Sequence, residues 1–462
     1  MIPEASRRGF IGGGLALLGA AGMSGNAAAG GSGGASSLQL AASVPVVADV
    51  DVLVVGGGPA GTTAALAASR AGASVYLAEE TGAFGGAATA AGVPCFCTFG
   101  DGERLLVTGI GLEIRKLVSQ EYSLSNPFVP INAEDLKLAY DRLMTASTVR
   151  FSFFTKLCAV QTEGRRMVGA VFATKRGLVA VRAKTFVDAT GDADLVAFGG
   201  GACEMGDAKG AVMPTTLCTL WGGIDFKHVS SFGDQLREVA RAVEDGHFSV
   251  PDLHLTGISR TPNAPEGTGG GNVGHVFGVN PTDERSLTLA MIDARRRMGE
   301  FESFYKKYLK GYDKLRLLAT ASYLGVRESR RVVCEYMLTA EDFKRRASFK
   351  DEIGRYCYPV DIHPSSGDPK AMAEFKRQMD QEYCYKKGES YGIPYRSLIP
   401  KSFDNVLVAG RCIGTDRAMQ ASVRVMPGCY ITGEAAGRAA AQASRRGGDV
   451  RSVSSVEIMR LG

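Results

Sequence analysis

Six consecutive residues, Gly56-Gly57-Gly58-Pro59-Ala60-Gly61, and an acid eighteen positions further on, Glu79, carry the most specific chemistry in the chain. In a G-x-G-x-x-G pattern each glycine has a separate task. Gly56 permits a tight turn, Gly58 lets the main chain approach a pyrophosphate, and Gly61 lets a helix pack closely on a strand. A helix starting at Pro59 would turn unpaired N–H groups and its positive dipole end toward the phosphates. Glu79 would accept hydrogen bonds from ribose hydroxyls and disfavour a 2′-phosphate. The chemistry is that of holding a dinucleotide.

Such a site needs a strand, a helix and a second strand in sequence, and all three are legible. The apolar run Val50 to Val55 reads as a buried parallel strand. Pro59 to Arg70 reads as a helix whose alanines let it lie close on a sheet, ended by Ala71-Gly72. Ser74 to Glu79 is the second strand, with the acid at its carboxyl end.

The fingerprint alone does not separate FAD from NAD, so the decision rests on later segments. Thr81 to Thr89, containing Gly85-Gly86, could wrap a pyrophosphate from the other side. Lys184 to Asp192 reads as a strand ending in a second glycine turn, and Asn405 to Arg411 repeats that pattern. Met426-Pro427-Gly428 begins a long Ala/Gly-rich helix reaching about Ala443, whose N-terminus could face the N1 and C2 carbonyl of a flavin. With these segments, and with Gly325 to Arg331, Ile393 to Pro400 and Ala421 to Pro427, the chain resembles the FAD-dependent oxidoreductase family over roughly 49–443. The likeness lies within the glutathione-reductase-like and fumarate-reductase-like flavoprotein group. It implies an α/β fold, a Rossmann-like FAD-binding domain with an inserted α+β substrate or cap domain, bound FAD and a two-electron reaction. By the same resemblance, FAD contacts fall to Gly56, Gly58, Pro59, Ala60, Gly61, Glu79, Gly85, Gly86, Thr89, Gly191, Asp192, Gly410, Arg411 and Met426. Leu157, in a strand read as Phe151 to Val160, would meet adenine through its main chain. Arg411 departs from the pattern, since many relatives place an acid there to hold the ribityl chain.

Flavin oxidation of carbon needs a C–H bond near N5 and a group to take the accompanying proton. Only five histidines are present, and His275, just after a glycine-rich stretch, is the best placed; it could also be a satisfied core histidine. Arg424, just before the long final helix, could hold a substrate carboxylate or hydroxyl, or a negative flavin, or belong to a structural ion pair. Arg396 is a further catalytic candidate. Arg327, Glu328, Arg330 and Arg331 read as an ion-pair network bracing the fold. Of ten cysteines none forms a CxxC pair, so neither a zinc site nor c-type haem is indicated and no metal is expected. Cys95 and Cys97 are either redox-active or two structural thiols on one face of a strand.

With 45% hydrophobic and 22% charged residues the chain has the composition of a packed globule. A net charge of +5, scattered along the sequence, gives no footprint for nucleic acid. The loop 263–274, with five glycines, could be a mobile lid or an ordinary surface loop. Helical periodicity runs over 226–246 and 283–316. The organisation expected is a twin-arginine signal peptide over 1–29, a flexible linker over 30–47, FAD-binding segments at 48–205 and 392–445, an inserted substrate region at 206–391, and a tail from 446. Ser6-Arg7-Arg8-Gly9-Phe10, a weak apolar stretch and a small-residue exit carry the export reading, and no stable membrane insertion is expected. The partners would be the twin-arginine export machinery, a small polar substrate, and a quinone, redox protein or oxygen as electron acceptor. An exported reductase of an organic acceptor and a flavin electron-transfer protein are the alternatives. Replacing Arg7 and Arg8 by Lys should retain the protein in the cytoplasm, and unchanged periplasmic recovery on cell fractionation would refute the address.

Overall fold

The computed structural model describes residues 43–119, 124, 128–253 and 255–460. The expected signal segment 1–29 lies outside them, as does most of the expected linker. The linker's last two residues, Val46 and Val47, instead open the first strand, Val46–Val55. That strand is the axis of the molecule. It pairs in parallel with Val75–Ala78 on one side and with Gly177–Asp188 on the other. Arg150–Ser152 extends the sheet beyond Val75–Ala78, and Val406–Val408 extends it beyond the last three residues of Gly177–Asp188, both in parallel. All five strands therefore end at the same edge. The earlier half of Gly177–Asp188 is covered instead by an antiparallel meander, Lys156–Glu163 and Arg166–Thr174.

Val52, Leu53 and Val54 have no exposed surface, as befits a strand buried on both faces. The helix Pro59–Arg70 covers one face and ends, as its sequence dictates, at Ala71-Gly72. Across it lies the closing helix Met426–Ser444. The two backbones touch. A Cβ on Gly433 would fall inside the carbonyl oxygen of Ala60, and one on Gly437 inside that of Ala64. Glycines four apart on one helix thus meet alanines four apart on the other, which is what the small-residue composition of both segments is for.

A second, antiparallel sheet is built from 206–391, in the order Leu255–Arg260, Gly269–Val273, Thr219–Gly222, Arg316–Thr320. Helices Phe232–Glu244 and Glu284–Tyr308 pack with it around Trp221, Phe248, Phe301, Phe304 and Tyr305. The helical pattern expected to reach Arg316 stops at Tyr308, and Gly311, at φ +84°, turns the chain into the strand that follows. Of the glycine-rich 263–274 stretch, 263–268 is a turn-rich loop with Asn263, Pro265 and Glu266 exposed, and Gly269–Val273 is a strand. Its Gly269-Gly270-Gly271 core is a central strand, because Pro94 packs where a Gly270 side chain would stand and Thr219 and Trp221 where a Gly271 side chain would. Phe151 to Val160 is likewise two strands, broken where Phe154 takes φ +54°. No helix among the described residues is long and apolar enough to cross a membrane.

The helix crossing has a direct test. Gly437→Val must push the two helices apart, costing about 1–3 kcal/mol or more, so the urea midpoint should fall; an unchanged midpoint would contradict the close approach.

Candidate active site

The edge where the five parallel strands end holds the glycine turn. Gly56 sits at φ +95° against the Ala189 carbonyl, and a Cβ on Gly61 would overlap the Gly56 oxygen, so neither position admits a side chain. Gly58 differs. A Cβ there meets nothing within 4 Å, which is the open cradle that a bound phosphate requires. Glu79 is buried, and its two oxygens accept from Gly57 N at 2.5 Å and Thr81 N at 2.7 Å. Each carboxylate oxygen retains a second lone pair for a ribose hydroxyl. The Gly85-Gly86 turn lies on the same spot, with Gly85 N donating to Gly57 O and Gly86 against the Gly58 Cα.

Capping shows the same preference independently. The helices starting at Ala133, Phe232, Glu284 and Pro369 all have a side chain, Asn132, Ser231, Asp283 and Asp368, accepting from their first turn. For Gly109–Val118 the Glu434 carboxylate does this work, accepting from Ile110 N. Pro59–Arg70 and Met426–Ser444 have no side-chain cap. Their first-turn N–H groups are left for a ligand. Both N-termini converge on Gly410, whose Cβ would stand 3.0 Å from Ala60 Cβ and 3.7 Å from Cys429 Sγ. The donors therefore fit FAD, with anionic groups at the first helix and the ring's electron-rich edge at the second.

Most of the residues expected to hold the cofactor are gathered here: Gly56 to Gly61, Glu79, Gly85, Gly86, Gly191, Gly410 and Met426 all lie at this edge or on its two helices. Thr89 is close by but turns its hydroxyl onto the Phe84 carbonyl at 2.6 Å. Arg411, standing where an acid is usual, pairs with Asp192 at 2.9 Å and donates to Ser329 at 2.6 Å beside the Gly191 turn. Its guanidinium is thus committed within the protein. Leu157 is buried in the meander opposite Phe172, just beyond Thr155, whose N–H reaches the Glu79 carbonyl.

The catalytic candidates separate. Arg396 lies half-exposed in a two-point ion pair with Asp351 and over the Tyr336 ring, committed to contacts apart from the other two. Arg424 and His275 are joined by two residues that sequence reading did not single out. Arg424 Nη2 meets Asp361 Oδ2 at 3.2 Å, Asp361 Oδ1 meets His363 Nε2 at 3.1 Å, and His363 Nδ1 meets His275 Nε2 at 2.9 Å. Beyond His275, Asp252 faces Nδ1 at 3.2 Å and accepts the His275 backbone N–H at 2.8 Å. The result is a buried line, Asp252, His275, His363, Asp361, Arg424, ending two residues before the closing helix. Arg424 Nε is buried and meets no hydrogen-bond partner among the described residues, so one donor of the guanidinium is left over at the ligand end.

Burial alone would raise the Asp361 carboxyl, but His363, Arg424 and Arg327 outweigh it and hold it well below the usual carboxylate range. Burial pushes both imidazoles down, against the pull of Asp252 and Asp361. Both rings are therefore neutral when the site is at rest near neutral pH. Arg327 does not join the expected bracing network. Glu328 takes Arg331 and Arg417, and Arg330 takes Asp194. Arg327 points the other way, onto Pro214 O, Thr216 Oγ1 and Asn272, and burial lowers it to about 10. Cys95 and buried Phe96 form a two-residue strand, and Cys97 follows it. Burial pushes Cys95 up to about 11 and Cys97 higher, and none of the ten cysteines is in a disulfide. Burial thus disfavours the thiolate form of both at neutral pH, which argues against the redox-active reading. A signal for His363 was present in the Asp361-Ile362-His363 spacing, which puts both side chains on one side of an extended segment.

Residues 51–461 match the family model described as FAD dependent oxidoreductase. A comparison with curated proteins gives no match. Among solved structures, a geranylgeranyl bacteriochlorophyll reductase-like protein from Thermoplasma acidophilum is 13% identical, with 90% of this chain and 82% of that chain covered at a TM-score of 0.42. The p-nitrophenol 4-monooxygenase PnpA from Pseudomonas putida DLL-E4 is 12% identical, over 90% and 84% at 0.43. The flavin-dependent brominase Bmp2 is 14% identical, over 86% and 80% at 0.42. A side chain at Gly58 starts into the open cradle, so Gly58→Trp should fold, by circular dichroism, and purify colourless; full yellow occupancy in the folded variant would contradict the site, as it would for Glu79→Arg.

Proposed function

The chain belongs to the FAD-dependent oxidoreductase family, and on that footing we propose that it is an exported enzyme moving a hydride between a small polar organic substrate and N5 of its FAD. Bound FAD supplies reversible two-electron acceptance at N5. The chain supplies the rest. Main-chain N–H groups of the two uncapped helices would hold the pyrophosphate and the ring edge. Glu79 would hold the adenosine ribose. Arg424 is pinned by Asp361 and keeps its Nε for a substrate oxygen, which favours alcohols, hydroxy acids and similarly polar substrates over hydrocarbons.

The observation that carries this reading is the meeting of a buried imidazole–carboxylate chain with the uncapped N-terminus of the closing helix. Oxidation of a polar C–H centre needs an electron acceptor and a proton acceptor within reach of one another, and the contiguity of the buried line with that helix start supports this reading. Export, from the Ser6-Arg7-Arg8-Gly9-Phe10 pattern, argues for a cofactor loaded before translocation. It also argues for a quinone, a redox protein or oxygen, rather than a cytoplasmic nicotinamide, as the electron partner.

Anaerobic stopped-flow bleaching of the flavin against sugars, hydroxy acids and amines tests the proposal. One class should bleach it rapidly, and Arg424→Met should slow that bleaching by about a hundredfold or more. Reoxidation of chemically reduced flavin by an alkene acid would instead identify a reductase, and indifference to every compound an electron shuttle.

A further inference from the structure

Phe154 is held against its own preferences twice over. It is 60% exposed, and it takes φ +54°, in the left-handed region that an L-residue with a bulky side chain rarely adopts. Both features cost stability, since the ring leaves apolar surface in water and the backbone is strained. Nor is this slack at a loop tip. The Phe154 N–H donates to the Thr81 carbonyl at 3.1 Å, the Thr155 N–H to the Glu79 carbonyl at 2.9 Å, and the Glu79 N–H to the Ser152 carbonyl at 3.0 Å. These main-chain bonds clamp 152–155 to 79–81 and fix the position of Phe154 relative to Glu79.

The neighbouring rings behave differently. Phe151 and Phe153 lie against buried Phe84, with ring centroids 5.1 and 4.6 Å from it. The left-handed turn sends the next ring onto Gly82, where a Cβ would stand 2.9 Å from Phe154 Cζ. Glycine at 82 thus makes room for the far end of the ring, while most of its surface stays open. That open surface stands beside the carboxylate placed to hold an adenosine ribose. Thr81, whose carbonyl holds the Phe154 N–H, gives its own N–H to a Glu79 oxygen at 2.7 Å. Adenine is bonded directly to the ribose, so it must find its resting surface among the residues next to Glu79. Glu80 and Lys156 offer a polar rim there, paired at 3.6 Å, and Phe154 offers an aromatic face.

We propose that Phe154 is the adenine-stacking residue of the cofactor site, held outward by its left-handed backbone so that the base of FAD lies on its ring. The proposal rests on the FAD-dependent reading above and deepens it. Stacking covers the apolar surface that the free ring exposes, and it gives the strained turn a use. It recognises the π-face of a base rather than its edge, so the ring supplies affinity for the adenosine half of the dinucleotide, and the choice of ribose stays with Glu79.

The test needs no substrate and uses the full-length protein, stripped of FAD and titrated with it by flavin fluorescence. Phe154→Ala should bind FAD about tenfold more weakly or worse, and Phe154→Tyr should bind it as the wild type does. Unchanged affinity in Phe154→Ala would overturn the proposal. A ring needed for packing would show in stability instead. Phe154→Gly relieves the left-handed strain, so the urea midpoint of the FAD-free protein should hold or rise while FAD affinity falls; a lowered midpoint would assign the ring to the fold and overturn the proposal. Phe154→Trp reports the contact itself. ADP, which carries the base and no flavin, should quench the emission of that variant beyond any change in the wild type, whose Trp221 is buried; absence of this quenching would count against stacking. If the wild type takes up no FAD, the oxidoreductase reading fails as a whole. If it takes up FAD and Phe154→Ala holds it as tightly, only the stacking assignment falls.

Discussion

Two helix N-termini without side-chain caps govern the arrangement of this molecule. A helix start leaves N–H groups unsatisfied, and a protein normally answers with a Ser, Asp or Asn. Here Pro59–Arg70 and Met426–Ser444 leave that answer to a ligand, and the fold is arranged so that both unanswered ends reach the same place. The requirement explains the sheet order, since five parallel strands must end at one edge. It explains the glycines at 433 and 437 as well, because only a near-contact crossing brings Ala60 and Cys429 to either side of Gly410.

That nucleotide-holding part was legible because its logic is local. Strand, turn, helix and acid fall within Val50 to Glu79, and each residue type follows from the geometry of its own neighbours; the helix bounds Pro59 and Arg70 were read without error. The closing helix was legible for the same reason, with proline in its first turn and small residues along it. Arg411 was recognised as unusual, and the structure gives the physical reason it is tolerated: Asp192 and Ser329 hold the guanidinium beside the Gly191 turn.

The reacting groups were only half legible, because they come from distant positions. Nothing in the sequence around His275 announces that its partner is His363, 88 residues away. Arg396 and Arg424 look alike as arginines near the closing segment, and only the fold gives one a surface carboxylate and the other a buried line. The glycine run at 269–271 misled for a subtler reason. Glycine marks either freedom or close approach, and sequence alone does not say which; Pro94 and Trp221 packed against the bare strand decide for close approach. Arg327 was grouped with its neighbours by adjacency, whereas successive residues in an extended segment face opposite ways.

The buried line also ties the antiparallel sheet to the closing helix. His275 follows directly on the antiparallel sheet, Asp361 and His363 follow the strand Glu352–Tyr356, and Arg424 precedes the closing helix. Burying two carboxylates and a guanidinium is tolerable only when each is paired, since an unpaired buried charge costs several kcal/mol. The pairing exists only once all these segments are in place. A nucleotide bridging the two uncapped helix ends would fix the closing helix, and with it Arg424. Cofactor binding and completion of the buried line are in this sense linked through the Arg424–Asp361 contact.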